Sequence, residues 1–370
     1  MVCEDKNDVI FNQYDLDINR VYRVKGAYVI DTGTEKKILR EYRFGEGKAR
    51  LVNYIMQHLK NQGYSDVDMI CENRSKNLIS ENQYRNRFVL RDYFEGEECD
   101  LISQGDILNA VDNLAKIHTM LHSVDFSFLE SMQEEEPVSE EADILSAAST
   151  KDEKREVKII VPTRNIKDTL YNHARELRRV FRYMCAKKKK NDFEVEYIKN
   201  YSMFARQPLY ALQQLDNSDY DKLMKQVIIN GSVTHGEYTH HNIIMNKEGS
   251  NNRCAVTGFE KASVGIQIYD LYSLLRKVME KNNWDYDIGS KMINTYINTR
   301  SKEHNDVTSA EITVLYALII FPEKLWKITD YYYNRRKTWL SQKMLDKILK
   351  LESLEKKREE FIKYFEGEFI

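Results

Sequence analysis

Near the start of the chain, short runs rich in β-branched and aromatic residues are of the type expected of strands. Val21-Tyr22-Arg23-Val24 and Ala27-Tyr28-Val29-Ile30-Asp31 are two such runs, and Lys37-Ile38-Leu39-Arg40-Glu41 is a third. Gly33 and Thr34, between the last two, suit a hairpin turn. The pattern then changes. Leu51, Ile55, Met56 and Leu59 recur at helical spacing and predict a helix over residues 49–61, with Gly63 just beyond as a stop signal. Residues 87–94 predict a further strand, ended by Glu95-Gly96-Glu97. From Gly105 onward helical spacing dominates, and Ile107, Val111, Leu114, Ile117 and Leu121 form one stripe over residues 107–122.

Two later stretches interrupt that pattern. Residues 132–157 carry Glu134-Glu135-Glu136-Pro137 and Glu140-Glu141 with few apolar anchors, and are expected to form an acidic, solvated insert. Farther on, Val227 to Ile229 is a short apolar element, followed by a polar loop over residues 234–242. A short strand at Ile243-Ile244-Met245, a turn over 246–252 and a second strand over 254–260 complete this unit. After Asp270 the chain is expected to be mainly helical, and the apolar run from Val314 to Phe321 predicts a core helix.

Composition narrows the picture. A chain of 370 residues with 42% hydrophobic content can bury a sizeable core in one large domain or two ordinary ones. Lys+Arg at 56 against Asp+Glu at 58 lacks the basic excess of a nucleic-acid binder. No apolar run approaches the ~20 residues needed to span a bilayer, so no membrane partner is expected. Residues 1–19 lack a basic-then-apolar signal, which points to a protein made and kept inside a cell. Cys3, Cys71, Cys99, Cys185 and Cys254 are too dispersed for a metal knuckle or a redox pair and read as free thiols.

The loop–strand–turn–strand unit holds the candidate chemistry. Phosphoryl transfer asks for few protein groups: a cation on the nucleotide phosphates, a carboxylate for the acceptor hydroxyl, and an amide with a second carboxylate for the metal. His235-Gly236-Glu237, then Asn242, then Phe259-Glu260 have the order and loop–strand placement of such a set.

On these residues the chain resembles the aminoglycoside and choline phosphotransferase branch of the protein-kinase-like fold. Within it, the chain is most similar to the spore-coat protein S (CotS) family of endospore-forming bacteria. The resemblance runs from Val89-Leu90-Arg91-Asp92-Tyr93-Phe94-Glu95-Gly96-Glu97-Glu98 through Leu114-Ala115-Lys116-Ile117-His118, the Gly236 to Asn242 loop and Ile268-Tyr269-Asp270-Leu271. The late aromatic segment, Phe321-Pro322-Glu323-Lys324-Leu325-Trp326-Lys327 with Tyr331-Tyr332-Tyr333-Asn334 and Lys337-Thr338-Trp339, separates the coat family from the antibiotic kinases. The resemblance implies an α+β, bilobal architecture. Its N-lobe would be a small antiparallel sheet over residues 1–92, and its C-lobe a large helical region over 93–370.

The implied site departs from the family pattern at four positions. His235, Gly236 and Asn242 match the catalytic-loop motif, but Glu237 stands at the position of the Asp base. Glu is one methylene longer, and misplacement by ~1 Å can cost about 100-fold in rate. Phe259 and Glu260 match the metal motif, while Gly258 replaces its first acid. In an extended strand Glu260 would point to the same side as position 258 and offer a substitute carboxylate. Arg40 stands at the phosphate-binding Lys position, with Lys36 or Lys37 as the counterpart under another register. No acid appears around Arg50 to Asn53 to pair with that cation, and Glu46 is expected to precede the helix. Tyr93, at the inter-lobe connection, would contact the nucleotide. Lys25-Gly26 is a poor substitute for a Gly-rich phosphate loop.

These departures point away from an efficient enzyme. The expected role is a pseudokinase-like protein of the spore coat, made in the mother cell and deposited on the spore. Its expected partners are other coat proteins and a nucleotide or small polar molecule. The alternative is an active kinase using ATP and Mg2+, with Asn242 and Glu260 on the metal and a hydroxyl of a sugar, amino alcohol or aminoglycoside as acceptor. The carboxylates of Glu95, Glu97 and Glu98 could attract a cationic acceptor. Asp270 is expected to brace the catalytic loop, and His118 to be a satisfied core histidine. His240 and His241 read as solvated, with a weak metal site shared with Glu237 as the alternative.

Overall fold

The structure, a computed structural model, describes residues 8–127, 129, 159–247, 253–334 and 341–370. The expected acidic insert lies outside them, as do Trp339 and most of the turn expected over 246–252. The chain divides into two compact units. The first takes Met1–Glu97, Ser123–Pro162 and Ile244–Ala262; the second takes Glu98–His122, Thr163–Ile243 and Ser263–Ile370.

In the first unit a short helix, α1 (Asp8–Phe11), precedes strands β1 (Arg20–Val24), β2 (Ala27–Asp31) and β3 (Lys36–Glu41). Helix α2 (Glu46–Asn61) follows, then β4 (Ile70–Cys71), β5 (Ser80–Glu81) and β6 (Arg87–Asp92). The sheet is antiparallel in the order β1-β2-β3-β6-β4, with β5 also paired to β6. Alternation sorts its two faces. Tyr28, Ile30, Leu39 and Leu90 pack with Ile10, Phe11 and Tyr14 on one. Ala27, Val29 and Ile38 pack with Tyr22, Val24 and Tyr93 on the other. Lys25 (φ 47°) and Gly26 (φ 83°) join β1 to β2 in a two-residue turn with both φ positive, the conformation favoured by tight hairpins. That turn leaves no glycine-rich loop to cover phosphates. Between β2 and β3 the expected turn forms at Gly33, whose N–H donates to Asp31 Oδ1 at 2.8 Å.

Helix α2 starts at Glu46, so Glu46 lies in its first turn rather than ahead of it. Its side chain meets Arg50 at 3.4 Å. The apolar stripe of α2 is buried as the spacing predicts, at Leu51, Ile55, Met56 and Leu59.

The second unit is mostly helical. Helix α3 (Gln104–Met120) is capped by Ser103, whose side chain accepts the Asp106 N–H. Helix Ser309–Ile320 is buried almost all round, as the apolar run predicts, and is started by a reciprocal Thr308–Glu311 capping box. The apolar element at 227–229 is the last turn of helix Tyr220–Asn230, which ends at Gly231 in the left-handed conformation. In the late aromatic segment Tyr332 is fully buried, and Trp326 stacks on His173 with ring centroids 3.4 Å apart. Tyr332 thus packs the interior of the unit, while the Trp326–His173 stack is half-buried. No helix among the described residues is long and apolar enough to cross a membrane.

Candidate functional site

In the first unit, β3 presents its cations to different surroundings. Arg40 is exposed, on the face it shares with Ile38 by alternation. Lys36 pairs with Glu95. Lys37 meets Asp92 and Glu35, each at 2.8 Å. Burial opposes the Lys37 charge, but Asp92 and Glu35 outweigh it and hold the ammonium above its ordinary pKa. Both alternative lysines are therefore tied to carboxylates. Tyr93 donates its N–H to Lys36 O at 3.1 Å and lines an open cavity of about 520 Å3 with Asp31, Glu35, Asp92 and Glu95. Arg40 and Glu260 are not among that cavity's walls.

The strongest electrostatic feature of this unit went unpredicted. Arg91, on β6, is 2% exposed and lies between two carboxylates. Its Nη1 donates to Asp68 Oδ2 at 3.0 Å, and its Nη2 to Glu260 Oε1. Burial works against the guanidinium charge, but Asp68 and Glu260 more than offset it and raise the Arg91 pKa. For Asp68, burial dominates and pushes the carboxyl up to about 6, with Arg91 opposing. Lys48 of α2 completes the surroundings. Its Nζ donates to Ala262 O at 3.0 Å, and burial lowers its pKa against the pull of Glu260. Helix α2 thus sends Lys48 toward this cluster, while its own first-turn carboxylate, Glu46, pairs with Arg50.

Glu260 reaches this cluster by a route that differs from the expected strand. The strand stops at Arg253–Val256. Gly258 then takes the left-handed conformation (φ 82°) and opens a single turn of 3-10 helix, Phe259–Lys261. Strand alternation therefore does not set the aim of Glu260. The Gly258 N–H donates to Asp68 Oδ1 at 3.3 Å, so this position contributes a donor where a metal site needs an acceptor. These residues do not fit a divalent-ion centre. There is no side chain at 258, and the carboxylate at 260 is already engaged by a guanidinium it shares with Asp68.

In the second unit, strand Val233–Thr234 pairs antiparallel with Ser263–Val264 and delivers the chain into the His235 loop. Asp270, fully buried on helix Ile268–Lys281, accepts N–H groups from His235 at 2.6 Å and Gly236 at 2.9 Å. Its Oδ2 also lies 3.2 Å from His118 Nε2, while His118 Nδ1 lies 2.7 Å from Tyr296 OH. This bonding assigns His118 an Nε2–H tautomer that donates to Asp270 and accepts from tyrosine. Burial lowers the His118 pKa against the opposing pull of Asp270 and so favours the neutral ring. Burial alone would raise the Asp270 pKa, but His118 and the neighbouring charges more than reverse it. The expected brace and the expected core histidine are thus one network.

Within the loop, the Glu237 N–H donates to His235 Nδ1 at 3.2 Å, and Asn242 Nδ2 donates to Glu237 O at 3.0 Å. His235 is 1% exposed and serves the loop's backbone. Gly236 takes φ 81°, a conformation that explains the glycine between His235 and Glu237. His240 and His241 form, with Asn242, one turn of 3-10 helix. The carboxylate beside them is Glu98, whose Oε2 lies 2.6 Å from His241 Nδ1; Glu237 does not join that group.

Sequence reasoning missed Arg91, Asp68 and Lys48. One signal was present, a lone arginine closing the apolar run Phe88-Val89-Leu90.

No family model matches the chain, and no curated protein matches it. Solved structures do. An aminoglycoside phosphotransferase from Alicyclobacillus acidocaldarius superposes with a TM-score of 0.77 at 14% identity, over 97% of this chain and 95% of the other. A spectinomycin phosphotransferase solved with AMP superposes with a TM-score of 0.57 at 10% identity, covering 94% and 93%. A microcompartment-associated aminopropanol kinase gives 0.52 at 11% identity, covering 92% and 93%. The fold is that of the aminoglycoside phosphotransferases.

Proposed function

We propose that this chain keeps the phosphotransferase scaffold as a binding module with impaired catalysis. Its role in this reading is assembly of the spore coat, with other coat proteins as partners. It is made in the mother cell and deposited on the spore. The observation that carries the loss of catalysis is the Asp68–Arg91–Glu260 cluster beside Gly258. A carboxylate held by a buried arginine is a poor ligand for a divalent ion, and phosphoryl transfer depends on that ion to neutralise developing charge. The coat assignment is supported by the sequence resemblance through Phe321 to Lys327 and Tyr331 to Asn334. A nucleotide or small polar molecule remains the natural ligand class for such a scaffold, since a neighbouring structure was solved with AMP.

A second reading, an ATP-dependent kinase acting on a hydroxyl of a sugar, amino alcohol or aminoglycoside, is favoured by one observation. The His235-Gly236 loop is fully braced by Asp270, and Asn242 is ordered against it. Steady-state ADP production with Mg-ATP and a panel of such alcohols separates the two. Our reading expects no acceptor-dependent turnover above a Glu237→Gln control; acceptor-dependent turnover lost in that control would establish the kinase. Fractionation of spores from an endospore-forming host carrying a tagged chain tests the location. Recovery in the coat extract is expected, and recovery only in the soluble core fraction would overturn it.

A further inference from the structure

The turn His240–Asn242 gathers a ligand set that the phosphotransferase reading does not use. The Cys99 N–H donates to Ile243 O at 3.0 Å, which holds Glu98 beside the turn. His241 Nδ1 meets Glu98 Oε2 at 2.6 Å, and the His240 and His241 rings lie 3.8 Å apart between centroids. One ligand atom from each of Glu98, His240 and His241 falls within 4.8 Å of the others. A separate observation concerns His240 itself. Its Nδ1 is shielded from solvent and has no hydrogen-bond partner, a costly arrangement for an imidazole with nothing to bind.

We infer that Glu98, His240 and His241 form a site for a transition-metal cation of the Zn2+ class, with the remaining coordination left to water. Two imidazoles and one carboxylate suit Zn2+, whereas Mg2+ prefers oxygen ligands throughout. Zn–N and Zn–O bonds of ~2.0–2.2 Å bring tetrahedral ligand atoms to roughly 3.4 Å apart, so closure from within 4.8 Å asks for a shift of up to about 1.4 Å. His241 is 65% exposed and is able to make that shift. Metal at this site would pin the turn that carries Asn242.

Equilibrium dialysis against ZnCl2 tests the site, with bound metal counted by mass spectrometry. The full chain is used in a Cys3→Ser/Cys185→Ser background, because the exposed Cys185 thiol would itself take Zn2+. One Zn2+ per chain is expected, insensitive to millimolar Mg2+. Affinity should fall about 10-fold in Glu98→Gln and about 100-fold in His240→Ala/His241→Ala. Co2+ should give visible absorption that the same variants lose. Substoichiometric Zn2+, or binding that Glu98→Gln leaves unchanged, overturns the site. If the double variant does not fold, Glu98→Gln alone decides.

Discussion

Arg91 carries its positive charge on a covalent tether, so its cluster with Asp68 and Glu260 cannot be emptied and refilled as a metal site can. Removing the guanidinium leaves the buried Asp68 carboxylate and the half-buried Glu260 carboxylate facing each other without a cation between them. Arg91→Met should therefore destabilise the fold by about 3–5 kcal/mol in denaturant unfolding. A loss below about 1 kcal/mol would mean the pair is solvated and the cluster carries little. Gly258 invites the reverse experiment. Gly258→Asp supplies the acid that the family motif has there, but places it at φ 82° beside the Asp68 carboxylate. The expected result is a destabilisation of about 1–2 kcal/mol with no gain of Mg2+-dependent nucleotide binding by calorimetry. A gain of binding would show that the missing carboxylate, and not Arg91, is what disables the site. At this scale the sequence announced Gly258, His235, Asn242 and Asp270, because each departs from or keeps a local motif. It could not announce the cluster, since Asp68, Arg91 and Glu260 are brought together only by the folded chain.

Elements were legible where periodicity is strong. The β-type runs located β2 and β3, and the stripe of α2 named its buried residues correctly. Boundaries were weaker. The run 254–260 reads as one strand by composition, yet the left-handed Gly258 turns it into a 3-10 turn, and that turn decides where Glu260 points. The loop of the second unit allows a pH test. The His118 pKa is lowered on folding, so the unfolded chain binds more protons once pH drops below the free imidazole value near 6.5. Stability from the neutral ring is present above that value and is lost as pH falls toward the depressed folded value. Between pH 7 and 5 the unfolding free energy should decline more steeply in the natural chain than in His118→Gln. The difference should approach, and not exceed, about 1.4 kcal/mol per pH unit. Identical slopes would show that folding leaves the His118 pKa unchanged, and a shallower decline in the natural chain would show that folding raises it. His122 and His240, also lowered by burial, contribute the same sign in both proteins and cancel in the comparison.

For the molecule as a whole, the fold was legible through the family resemblance carried by the loop motif and its flanking segments, with which the strand and helix patterns agree. The structural likeness at 14% identity agrees with it where no family model does. Function was less legible, because it turns on which charge neutralises Glu260, and that charge comes from a distant strand. In our reading the scaffold has exchanged a removable metal ion for a permanent cation. Titration of the natural chain with ATP by calorimetry, with and without Mg2+, tests this most directly. No binding that depends on Mg2+ is expected. Micromolar binding that requires Mg2+ and weakens on Glu260→Ala would contradict it.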